Sequence, residues 1–121
     1  MNIPGADSSR PTYTYQVPPK LAAESEVSSV TLVHLTAAEE LAAAKRAGGT
    51  DPLRLGSELA KAALHGLNGK ALSHANSEKE IAWHKLHPKL RSLVLQAYSK
   101  LHAPESEDVD AFLSSEVVEA A

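Results

Sequence analysis

Along the chain, apolar residues first alternate and later recur every three to four positions, and that change of period predicts the elements. Tyr13, Tyr15 and Val17 alternate with Thr12, Thr14 and Gln16, a period of two that marks a short strand with one apolar face. Val27 to His34 is a second such run, with Val30 and Leu32 facing one side and Val33 the other. Together they predict an antiparallel hairpin across the connection at residues 18–26, an element too small to be stable alone. Pro4, Gly5, Pro11, Pro18 and Pro19 exclude a long helix from this region, because proline removes a backbone donor and fixes φ.

From Thr36 the helical period takes over. Thr36-Ala37-Ala38-Glu39 is a capping box, in which threonine and glutamate satisfy each other's orphaned amides. It starts a helix that runs to Ala47, where Gly48 and Gly49 suit a left-handed cap. Asp51 caps a second helix with Pro52 in its first turn and Leu55, Leu59, Ala62 and Ala63 on one side, ending at Gly66. Leu67-Asn68-Gly69-Lys70 is the signature of a tight two-residue turn. Ser77 and Glu80 form a further capping box for a helix from about Glu78 to Leu86 that carries Ile81 and Trp83. His87-Pro88 breaks it and begins another. In that next helix Leu90, Leu93, Val94, Ala97, Tyr98 and Leu101 give the strongest periodicity in the chain, which predicts the core helix. After Ala103-Pro104, Val109, Phe112, Leu113 and Val117 space a last short helix. The expected fold is mainly α, a small bundle of four to five helices with a minor N-terminal β-hairpin or strand. Its expected divisions are an extended, partly flexible arm (1–26), a compact mainly helical domain (27–103) and an acidic C-terminal segment with a short helix (104–121).

Composition narrows the chemistry. The 121 residues contain no cysteine, which removes disulfides, thiolate zinc sites and thiol nucleophiles together. No apolar run reaches the length of a membrane span, and the opening residues MNIPGADSSRP lack the basic-then-apolar order of a signal peptide, so a soluble, unexported protein is expected. The overall charge of −3 conceals segregation: residues 1–44 carry −3, residues 45–100 carry +6 and residues 101–121 carry −6. A basic middle and an acidic end suit either a tail folded back on its own body or two surfaces for different partners.

Candidate catalytic groups are few. Gly48-Gly49 has no preceding strand and no Lys-Ser/Thr sequel, so it reads as a helix cap and not a phosphate loop. No G-x-S-x-G occurs. Glu80, His84 and His87 are spaced to share a face, with His74 or His102 as distant further ligands, but the Pro88 break disturbs that face, and packed or surface imidazoles are the better reading. No metal, cofactor or catalytic residue is expected. Glu39, Glu40 and Glu58 are carboxylates with nothing to mark them as buried together. Lys79, Lys85, Lys89, Arg91 and Lys100 could form a basic strip for phosphates, a weaker reading because the acidic tail would compete for it. Trp83 reads first as a packing residue and second as an anchor for a partner.

The run LTAAEELAAAKRAGGTDPLRLGSELAKAAL (Leu35 to Leu64), the NGKAL that follows, and SEKEIAWHKLHPKLRSLVLQAY (Ser77 to Tyr98) resemble small tail assembly chaperones of long-tailed phages and prophages, particularly those of Mu-like tail gene clusters. The proline-broken N-terminus lies outside the resemblance. It implies a largely helical, non-enzymatic protein of the infected bacterial cytoplasm that binds the tape measure protein, and often the tail tube protein, and is usually absent from the finished virion. The partner-binding residues expected on that footing are Trp83 as anchor, Lys85, Lys89 and Arg91 to steer acidic client segments, and Phe112 and Leu113 on the last helix. A homo-oligomer stays open. The alternatives are a minor structural protein of the tail or head–tail junction and a small nucleic-acid-binding regulator using the basic helix pair.

Overall fold

The computed structural model describes residues 10–49, 51–72 and 76–116. In chain order the elements are β1 (Thr12–Gln16), α1 (Pro19–Ser25), β2 (Ser29–Val33), α2 (Ala37–Ala47), α3 (Pro52–Ala63), β3 (Leu64–Leu67), β4 (Lys70–Ala71), α4 (Asn76–Lys85), α5 (Pro88–His102) and α6 (Ser106–Ser114). The protein is mainly α with a small antiparallel sheet in the order β1-β2-β3-β4. The anticipated hairpin is present: Thr12 pairs with Val33, Thr14 with Thr31 and Gln16 with Ser29. Its connection is not a plain loop, since Pro18 and Pro19 preset the first turn of α1 and Glu26 ends it at φ 61°.

Local signals account for most helix ends. Thr36 accepts from the Glu39 N–H at 3.2 Å and Glu39 accepts from the Thr36 N–H at 2.8 Å, completing the capping box of α2, which Gly48 closes at φ 70°. Asp51 accepts from the Leu53 N–H at 3.0 Å to cap α3. The start of α4 differs from expectation: the helix begins at Asn76, so Ser77 lies inside its first turn. The proposed extension of α6 to Val117 falls outside the described residues.

The largest departure from the sequence pattern is at the end of α3. Helix was expected to continue to Gly66, but Leu64–Leu67 is strand. Leu64 pairs with Leu32, Gly66 with Thr31 and Leu67 with Val30, with a bulge between Thr31 and Leu32. Three sheet pairings outweigh one more helical turn, because the Asn68-Gly69 turn, at φ 54° and 78°, sends the chain back as β4. Asn68 then locks the turn to the end of α1. Its side-chain oxygen accepts from the Ser28 N–H at 2.6 Å and the Ser28 hydroxyl at 3.0 Å, and its amide donates to the Glu26 carbonyl at 3.2 Å.

Helices α3, α4 and α5 cover the sheet face that carries Val30, Leu32 and Leu64. Ala60, Ala63, Trp83, Leu86, Leu90, Val94 and Tyr98 complete that core. Helix α2 packs mainly on α3, where the small Ala43 and Ala47 are buried. A Cβ at Gly66 would sit 2.9 Å from the Lys70 carbonyl oxygen and 3.6 Å from the Thr31 Cβ, so backbone would have to move. Gly66→Ala should therefore cost about 1–3 kcal/mol in urea unfolding. A loss below about half a kcal/mol would mean that the β3–β4 turn yields freely.

Candidate interaction surfaces

The side chains expected to bind a partner do not converge. Trp83 is 7% exposed and packs in the core beside Leu86 and Leu90, so it has no free face to offer; its apolar bulk is spent on joining α4 to α5. Arg91 donates to the Leu86 carbonyl at 2.8 Å and satisfies the open end of α4. Lys85 and Lys89 are exposed near the α4–α5 corner, while Phe112 and Leu113 lie on α6. Lys79 reaches the Ala62 carbonyl at 2.7 Å, so two of the five cations of the supposed basic strip hold backbone carbonyls.

The histidines are likewise drawn into structure. His87 caps α5, its Nδ1 accepting from the Lys89 N–H at 3.1 Å, and its Nε2 lies 3.8 Å from Glu24 on α1. His84 lies 3.8 Å from Glu80 and is largely exposed, so Glu80, His84 and His87 are not brought onto one point. Among the described residues no three His, Asp or Glu side chains gather as metal ligands; His74 falls outside them. Residue spacing also concealed a cluster at the far end of α5. His102 Nε2 accepts from the Leu35 N–H at 3.0 Å while its Nδ1 lies 3.0 Å from the Tyr98 carbonyl. The acceptor role at Nε2 puts the ring proton on Nδ1, where it donates to that carbonyl. Its ring stacks on Tyr98 and meets His34 edge-on, and His34 in turn bonds the Tyr13 hydroxyl at 3.1 Å. Burial, with the Glu40 carboxylate adding to it, pushes the Tyr98 phenol up. The cluster ties β1, β2 and α5 together.

The carboxylates are also engaged. Glu39 holds Arg10 at 3.1 Å besides its capping role. Burial pushes its carboxyl up, but the Thr36 amide and Arg10 outweigh that and leave it below the ordinary value. Glu58 accepts from Lys61 at 2.7 Å and Arg46 at 3.0 Å. Here too burial raises the carboxyl, and the hydrogen bonds and charges of Lys61 and Arg46 bring it below its ordinary value. Lys61 is 3% exposed, a buried ammonium whose partner is Glu58. A buried charge of this kind can signal chemistry, but with Arg46 from α2 on the same carboxylate it serves here to pin α2 against α3.

What the molecule leaves open is apolar surface. Phe112 is 76% and Leu113 62% exposed, and no residue of α6 is buried. Glu105, the residue just before α6, and Asp108 in its first turn border a shallow depression with Tyr13 and Lys100. A groove of about 240 Å³ runs between β1 and α5, lined chiefly by Tyr15, Val17, Leu90, Leu93 and Ala97. A second, more open one of about 540 Å³ lies between the end of α1 and α4, with Ile81 exposed at its side and Lys85 beside it. No helix among the described residues is long and apolar enough to cross a membrane. The chain matches no known protein family, no curated protein and no solved structure.

Proposed function

We propose that this chain is a binding protein that makes and breaks no covalent bond: a phage tail assembly chaperone that transiently covers apolar helical segments of the tape measure protein, and of tail tube subunits as a second client, until the tube polymerises. The reading places it in the host bacterial cytoplasm during assembly and not in the mature virion. It rests on the sequence resemblance over residues 35–98, and one observation supports it most: α6 exposes Phe112 and Leu113 on a helix whose other residues include Glu107, Asp108 and Asp110. An amphipathic helix whose apolar stripe no described residue buries is a common form of peptide-groove recognition. Exposed aromatics rimmed by polar groups concentrate binding energy.

A pull-down with the tagged full chain from prophage-induced cells tests the reading, with recovery of a long tape-measure-like chain as the expected result. Phe112→Asp should reduce that capture by about thirtyfold, equivalent to about 2 kcal/mol. Because Phe112 is exposed, the same change should alter stability by no more than about 0.5 kcal/mol. Capture that is indifferent to Phe112→Asp and Leu113→Asp would remove α6 from the interface. Mass spectrometry of purified particles separates a chaperone, which should be missing from them, from a minor structural protein, which should be present.

A further inference from the structure

The two edges of the sheet are not alike. β4 is two residues long and begins with Lys70, a short charged edge of the kind that resists pairing with another chain. β1 is five residues long, TYTYQ, with no charge and no proline within it. Arg10, just ahead of it, is neutralised by Glu39 at 3.1 Å. The register also shows which groups face outward. Val17 N–H donates to the Ser28 carbonyl at 2.9 Å, and Tyr15 opposite Val30 and Tyr13 opposite Leu32 share its parity. In an antiparallel ladder alternate residues point both backbone groups at one neighbour. Thr12, Thr14 and Gln16 therefore present their N–H and C=O groups away from β2, and among the described residues no backbone hydrogen bond reaches them from that side.

We propose that this edge is a homodimer interface, in which β1 of two copies pair antiparallel about a two-fold axis at Thr14 and join the two sheets into one. The strand is self-complementary about that point. Thr14 opposes Thr14 of the second copy, Thr12 opposes its Gln16, and each pair exchanges both N–H···O bonds. Tyr13 comes opposite Tyr15 of the second copy on the helix-covered face, a favourable cross-strand aromatic pair. Pro11 and Pro18 bracket the strand, so a slipped register would meet a proline or lose pairs. The surface beside the edge agrees. Tyr15 and Leu93 are exposed apolar residues lining the groove between β1 and α5, and the two-fold brings both α5 helices over the joined sheet, where those side chains lose their contact with water. The lack of charge on β1 favours a second copy over a charged partner, since identical strands meet without repulsion.

Light scattering and sedimentation of the full chain across a concentration series should show a monomer–dimer equilibrium. Thr14→Lys and Thr14→Glu should each weaken it by about tenfold or more, because identical charges then face each other at the axis, and an equimolar mixture of the two should restore dimer. Circular dichroism of each variant checks that the fold persists. Hydrogen exchange on the unaltered protein needs no variant: the amides of Thr14 and Gln16 should gain protection as concentration rises. A monomer at every concentration, a dimer indifferent to Thr14→Lys, a mixture that stays monomeric, or exchange at Thr14 that ignores concentration would each overturn the proposal. The outcome is independent of client capture by α6, so either reading can fail alone.

Discussion

Leu64→Ala should cost about 3–5 kcal/mol in urea unfolding, a large part of the 5–15 kcal/mol expected for a domain of this size. Leu64 is fully buried. It stands where α3 becomes β3, its N–H closing the last turn of the helix on the Lys61 carbonyl while its backbone pairs with Leu32. Truncation leaves a cavity between sheet and helices at a point where the surroundings cannot collapse, since Leu32, Ala60 and Ala63 around it belong to two different elements held by their own hydrogen bonds. Leu53→Ala is the control: Leu53 is 82% exposed, and its loss should stay within about 0.5 kcal/mol. A cost at Leu64 below about 1 kcal/mol would mean that the α3–β3 junction is not part of the cooperative core.

Glu58→Ala should be the second most damaging change, at about 2–3 kcal/mol. It strands the Lys61 ammonium, which is almost entirely removed from water, and it frees Arg46 from α3. The figure lies at or under the ~3–5 kcal/mol of a fully buried pair because Glu58 keeps partial contact with solvent. Lys61→Met in the same chain should recover most of the loss, since a buried apolar stem needs no counter-charge. If the double variant is as unstable as Glu58→Ala alone, the stranded charge is not the cause. The acid limb of stability carries the same information. The folded protein holds the Glu58 and Glu39 carboxyls below their ordinary value. Their stabilisation is thus present above the range where a free glutamate titrates and is lost as pH falls through that range toward the folded-state values. Glu58→Ala should flatten this acid slope, and a slope unchanged from the parent protein would assign acid sensitivity to other groups.

The elements that sequence reading located well are those specified by residues close together in the chain. The Thr36/Glu39 box, the Asp51-Pro52 start, the Asn68-Gly69 turn and the α5 stripe each need no more than a few neighbouring positions, and each appears in the fold. The strand at Leu64–Leu67 was not located because Leu64 and His65 extend the helical pattern up to Gly66 equally well. Its pairing partners lie in β2, more than thirty residues earlier. Among the residues expected to bind a partner, exposure was legible only in part. The exposure of Phe112, Leu113, Lys85 and Lys89 fits their sequence placement on helix surfaces, whereas the burial of Trp83 and the tie from Arg91 to Leu86 depend on how α4 and α5 meet. Nothing in the spacing of Tyr13, His34 and His102 announces their cluster, since its hydrogen bonds bridge separations of 21 and 67 residues.

By itself, then, the sequence determined the class of fold, the starts of α2, α3 and α5 and the turn chemistry, because capping, proline geometry and positive φ are local. Tertiary structure alone decided where α3 gives way to a strand, which histidines became caps and clasps, that Lys61 is buried against Glu58, and that β1 and not β2 is the open edge of the sheet. Those choices are settled by burial and by hydrogen bonds between distant segments, whose free energies exceed the small local preferences that periodicity can register.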